Sequence, residues 1–168
     1  RAVERLQEAG VRVSGLLTAR TGPHDLTVTE IHTGESYPIT GPFVERDDRE
    51  RNENERSPAA KPLNFNMLPD AMARSGCALR SAFPTDVFVI DEIGRLELRR
   101  GEGWVEAIDL LQREQYRVAM AVVRPELIGD FVVNLSSRWI SLLHVTHAKG
   151  DEAADQIREK RRSTVISA

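Results

Sequence analysis

Asp86-Val87-Phe88-Val89-Ile90-Asp91-Glu92-Ile93-Gly94-Arg95-Leu96-Glu97 is the stretch that decides the fold. Val87 to Ile90 are all apolar and run without a break into two adjacent carboxylates and then a glycine. A continuous apolar run of this kind suits a strand buried on both faces, as in a parallel sheet covered by helices. Carboxylates at the C-terminal end of such a strand are costly to bury unless something there requires negative charge. Ligands of open α/β sheets sit outside those strand ends. A Glu in that place can orient or deprotonate an attacking water. The competing reading is that Asp91 and Glu92 only cap the turn that follows.

The flanking sequence supports a sheet of this type. Residues Arg1 to Ala9 place Val3 and Leu6 on one face and end at Gly10, which predicts the closing turns of a helix. Val11 to Thr18 reads as a strand. Leu26 to His32, the turn Thr33-Gly34-Glu35, and the return through Tyr37 and Ile39 read as a β-hairpin. Residues Phe43 to Pro62 are dominated by charge, and Glu45 to Arg56 hold no apolar residue at all. Such a segment cannot bury enough surface to offset its ordering entropy, so a mobile surface loop is expected over 43–62.

Downstream, the spacing predicts a helix over Leu68 to Ala82, with Pro69 in its first turn. After the central strand come a helix over Gly103 to Gln115 with Trp104 in the core, and a strand over Tyr116 to Val123. A helix over Pro125 to Leu135, a strand over Trp139 to Val145 and a closing helix over Asp151 to Arg162 complete the pattern. Strands alternating with helices of ordinary length are the mark of βαβ units and a parallel sheet. Right-handed crossovers would put helices on both faces.

Composition narrows the function. At 168 residues a single domain over 1–168 is expected, and 40% apolar with 29% charged residues is ordinary for a soluble globular chain. The net charge of −3 gives no argument for nucleic acid or an anionic membrane as partner. One cysteine, Cys77, excludes an intramolecular disulfide, and without a His/Cys cluster a structural zinc is not expected. Cys77 reads as a small buried apolar residue on its helix. The four histidines are scattered and form no ligand set. With no apolar run of ~18 residues and no signal peptide, a cytoplasmic location is expected.

With these elements in place, the chain resembles the small P-loop nucleoside-triphosphatases known as nucleotide-kinase-related. The likeness runs over most of the chain. Gly10-Val11-Arg12-Val13-Ser14-Gly15-Leu16-Leu17-Thr18 resembles the family's second strand, and Leu26 to Pro38 its hairpin. Ile90-Asp91-Glu92-Ile93-Gly94-Arg95-Leu96-Glu97-Leu98 resembles its Walker B signature, and Val122-Val123-Arg124-Pro125 a later strand end. The DEIG-x-x-E pattern is the specific part. The resemblance implies a RecA-like P-loop NTPase fold: a mostly parallel sheet with helices on both faces and an added hairpin.

It also implies a Walker A loop, G-x-x-x-x-G-K-[ST], whose backbone N–H groups and Lys would cradle the phosphates. No such loop occurs in these residues: the lysines are Lys61, Lys149 and Lys160, none in a Gly-rich loop. The chain opens at Arg1 without a methionine, so the expectation is that the family's first strand and P-loop, roughly 20 residues, lie upstream. The alternative is a protein that lacks them. Where the family often carries an Asn-Arg pair, Thr146-His147-Ala148-Lys149-Gly150 stands here.

Carried over residue by residue, the resemblance makes Asp91 the Mg²⁺-side carboxylate and Glu92 the group that aligns or activates water. Arg124 reaches a phosphate. Glu97 either contacts the site or pairs with Arg95 or Arg99. The implied ligands are a nucleoside triphosphate such as ATP or GTP with Mg²⁺, and the implied reaction is hydrolysis to NDP and phosphate. Two other roles stay open: a kinase that passes the γ-phosphate to a small acceptor, and a non-catalytic module of the same fold whose partner is a protein.

Overall fold

The computed structural model describes residues 2–42, 65–113, 115–135, 141–144 and 164–167. In chain order its elements are α1 (Ala2–Glu8), β1 (Val13–Arg20), β2 (Leu26–Glu30), β3 (Ser36–Pro38), α2 (Pro69–Ser81) and β4 (Val87–Ile93). There follow α3 (Val105–Arg113), β5 (Val118–Val123), α4 (Ile128–Asn134), β6 (Ser141–His144) and β7 (Thr164–Ser167). A π-helical turn, Leu96–Arg100, follows β4, and a 3₁₀ turn, Pro125–Leu127, leads into α4.

The apolar run of β4 lies inside the sheet, paired in parallel with β1 on one side (Val13↔Val87, Leu16↔Ile90) and β5 on the other (Val87↔Val118, Ile90↔Ala121). Alternation along these strands divides the core. Phe88, Ile90, Ala119 and Ala121 point to one face, where they meet Leu79 of α2, Ala107, Ile108 and Leu111 of α3, and Phe131 of α4. Val87, Val89, Val118 and Met120 point to the other, where Val3 and Leu6 of α1 lie. Helices therefore cover both faces. That is why β4 reads as uninterrupted apolar sequence rather than as an alternating strand.

Among the described residues the sheet has seven strands in the order β3-β2-β1-β4-β5-β7-β6. β1, β4, β5, β7 and β6 run parallel, and the antiparallel hairpin β2–β3 is added on the β1 edge. This is the expected α/β architecture. One glycine is indispensable to it. Gly15, at φ 121°, faces Val89, and a Cβ there would stand 1.8 Å from the Val89 carbonyl oxygen. No side chain fits between β1 and β4 at that point.

Several details differ from the expectation. β1 begins at Val13 rather than Val11, and β4 continues through both acids to Ile93 instead of ending before them. The last strand, β7, was not anticipated. Its four residues are too short a run to stand out, yet it takes an interior slot between β5 and β6. Cys77 is exposed, not buried, because the inner face of α2 is formed by Ser75, Gly76, Ala78 and Leu79. Arg80, one turn on, donates to its Sγ at 3.2 Å. Trp104 is buried in the core, as its spacing suggested. The expected loop over 43–62 and helix over Asp151 to Arg162 fall outside the described residues. Among the described residues no helix is long and apolar enough to cross a membrane.

Candidate active site

The site begins where the ladder between β4 and β5 slips. Asp91 pairs with Val122 and Ile93 with Val123, which leaves Glu92 as an extra residue between them. A bulge of this kind breaks strict alternation and re-aims a side chain. It lets two consecutive acids serve one strand end with different surroundings. The Asp91–Glu92 peptide is cis.

Asp91, like Glu92, is half-buried. Burial pushes its carboxyl above the usual carboxylate range; a Thr18 backbone N–H opposes that rise, and the Glu92 charge adds to it. The Thr18 hydroxyl also donates to the Asp91 backbone carbonyl, which fastens the end of β1 to the end of β4. No side-chain cation pairs with the Asp91 carboxylate among the described residues.

Glu92 does have such a partner. Arg124, just past β5, donates from Nε to Glu92 Oε1 at 2.5 Å. The Glu92 hydrogen bond and charge raise the Arg124 pKa, so its guanidinium is held firmly charged. Their side chains are 38% and 55% exposed, so the pair is open to solvent. Such a pair contributes about 0–1 kcal/mol and exchanges readily. The structure thus brings together Asp91, Glu92 and Arg124, the three residues singled out from sequence.

No protein-family model matches the chain, and no curated protein does. Among solved structures it is similar to the crystal structure of THEP1 from the hyperthermophile Aquifex aeolicus. The TM-score is 0.48 and the identity 11%, over 99% of this chain and 80% of that one. A likeness this distant assigns the chain neither a family nor an activity.

Glu97 takes no part in the acidic cluster. Its carboxylate accepts the backbone N–H of Gly94 at 2.9 Å and that of Trp104 at 3.1 Å, closing the turn after β4 on itself. Gly103, at φ 75°, passes so near that a Cβ would stand 2.1 Å from Glu97 Oε1. Neither Arg95 nor Arg99 is its partner. Arg95 reaches Glu126 at 3.5 Å and Arg99 reaches Asp130 at 2.7 Å. With Arg124–Glu92, these make, among the described residues, three ion pairs that join the end of β4 and its following turn to the chain after β5.

Among the described residues no three His, Cys, Asp or Glu side chains form a metal cluster. Mg²⁺ does not need one. It keeps several waters and is bound through one or two carboxylates together with substrate phosphates. A single half-buried carboxylate without a cationic partner suits such a cation, so Asp91 is the residue that would hold it. Thr18 and the bulge at Glu92 were the parts of the site that sequence reasoning missed. Thr18 closes the strand Val11 to Thr18 as read from sequence, but only the register with β4 shows that it meets Asp91.

Proposed function

We propose that this domain hydrolyses a nucleoside triphosphate such as ATP or GTP to the diphosphate and phosphate with Mg²⁺. The phosphate cradle would come from a P-loop outside residues 1–168. The observation that carries the reading is the division of labour at the end of β4. Asp91 is half-buried and has no cation beside it among the described residues, while Glu92, also half-buried, lies against Arg124 at the surface. Mg²⁺, held by Asp91, would supply neutralising charge for the β- and γ-phosphate oxygens. Glu92 orients water and accepts its proton as the water oxygen bonds to the γ-phosphorus. The bond from that phosphorus to the β–γ bridging oxygen breaks, and the diphosphate leaves with the electron pair. The proton passes from Glu92 Oε to solvent or product. Arg124 pairs with the phosphate oxygens.

In the full-length protein, Glu92→Gln is expected to lower Mg-ATP turnover by ~10²-fold or more, the usual scale for a positioned general base. Binding of Mg-ATP should be retained. Steady-state phosphate release alongside calorimetric binding measures both. Hydrolysis at the wild-type rate would remove Glu92 from the mechanism.

A further inference from the structure

The proposed reaction needs Glu92 free to meet water, yet in this structure its carboxylate is held by Arg124. We infer that Arg124 is a polyphosphate-operated latch: it holds Glu92 when the site is empty and releases it when a phosphate chain takes the guanidinium. This rests on the hydrolase reading above and adds a control step to it.

Three features of the structure lead there. First, the pair is accessible, so an anion can reach Arg124 without any part of the core opening. Second, two other arginines, in the turn after β4, have acids of their own: Arg95 has Glu126 and Arg99 has Asp130. Arg124 alone among these three is paired with the carboxylate proposed to do chemistry. Third, the β4–β5 backbone ladder, through Asp91↔Val122 and Ile93↔Val123, holds the two strand ends together independently of Arg124. Breaking the Glu92 pair is therefore a side-chain swing, with both strand ends still in register. A triphosphate presents several forked acceptors and more negative charge than one carboxylate, and a planar guanidinium matches such oxygens bidentately. It displaces Glu92, and the freed carboxylate is left at the strand end where the water must lie. Without a phosphate chain bound, the base stays occupied.

The test is a double-mutant cycle on the full-length protein, with inorganic tripolyphosphate as the probe. Affinities are measured by calorimetry for wild type, Glu92→Gln, Arg124→Ala and the double variant. Glu92→Ala serves as a second way to empty the carboxylate. Removing Glu92 should tighten tripolyphosphate about fivefold, the equilibrium equivalent of an exposed ion pair. In the Arg124→Ala background that gain should vanish. A gain that persists there is plain charge repulsion by Glu92 and overturns the latch. In wild type, the Arg124 Nε–H resonance should also move on adding tripolyphosphate; an unmoved resonance in the bound state overturns the latch as well. Mg-ATP turnover measured in parallel separates the two readings. Turnover that falls with Glu92→Gln, without coupling in the cycle, leaves hydrolysis standing and the latch refuted. Coupling without turnover does the reverse. Absence of tripolyphosphate binding in every variant overturns the latch, and absence of Mg-ATP turnover in wild type overturns hydrolysis.

Discussion

Glu30 at the end of β2 and the acidic pair at the end of β4 are both carboxylates on strand ends, and the chain treats them in opposite ways. Glu30 is only 5% exposed. It accepts from the Tyr37 hydroxyl at 2.9 Å, from Thr33 Oγ1 at 3.1 Å and from Arg74 Nε at 3.3 Å. Arg74 in turn lies over the Tyr37 ring at 3.9 Å and also pairs with Glu35. Among the described residues, every donor that reaches this carboxylate comes from the hairpin or α2. At β4, among the described residues, one carboxylate has no cation and the other has a loose one. A buried acid whose acceptors are filled from within the fold is a fastener; an acid left short of partners at a strand end awaits something from outside.

Glu30→Ala tests the fastener. It takes one acceptor from each of Arg74, which keeps Glu35, and Tyr37, which keeps Ser75 Oγ, and is expected to cost about 2–3 kcal/mol, the scale of hydrogen bonds to a charged group. Chemical denaturation measures it, and turnover per folded molecule should be unchanged. Glu92→Gln should move stability by no more than about 1 kcal/mol while it cuts turnover. If the two losses exchange places, the contrast between the clusters is wrong. Tyr37→Phe removes one neutral donor from Glu30 and should cost about 1 kcal/mol. Asp91→Asn should do the opposite of Glu30→Ala. Burial of its charge is unfavourable at neutral pH, so neutralising it should raise Tm by about 1–3 °C for a chain of this length. Loss of Mg²⁺-dependent nucleotide binding should accompany that gain.

The site was more legible in the sequence than its supports were. An apolar run ending in Asp91 and Glu92 announces both the buried strand and the acids at its end, because each follows from local composition. Arg124 could be placed for the same reason, as the residue between a strand and a proline. The roles of Thr18 and Glu97 could not. Thr18 meets Asp91 only through the β1–β4 register, and Glu97 finds Gly94 and Trp104 only because the π-helical turn folds the chain back on itself. The bulge at Glu92 is likewise a property of pairing, invisible in one strand read alone. Cys77 was misplaced by a small error of helical phase: its neighbours Gly76 and Ala78 are buried and it is not.

The opposite end of β4 offers a third kind of acid and the smallest expected effect. Asp86, just before the strand, accepts the Arg12 backbone N–H at 3.2 Å and Arg12 Nε at 3.1 Å. The side-chain hydrogen bond from Arg12, then its backbone N–H, hold the Asp86 carboxyl below the usual carboxylate range. A carboxyl depressed on folding adds stability above its unfolded pKa, near ~3.9, and that stability is lost as pH falls through the folded value. Asp86→Asn should therefore lower Tm slightly at pH 7, and the difference should close in acid once Asp86 itself is protonated. Added salt at neutral pH should narrow it too, because the pair faces water. If the deficit instead persists unchanged in acid, the geometry of the Arg12 N–H bond matters there and the charge does not. Asp86 would then belong with Glu30 as a fastener, and the absence of a firm partner would mark Asp91 and Glu92 more sharply as the acids of this strand that serve a ligand.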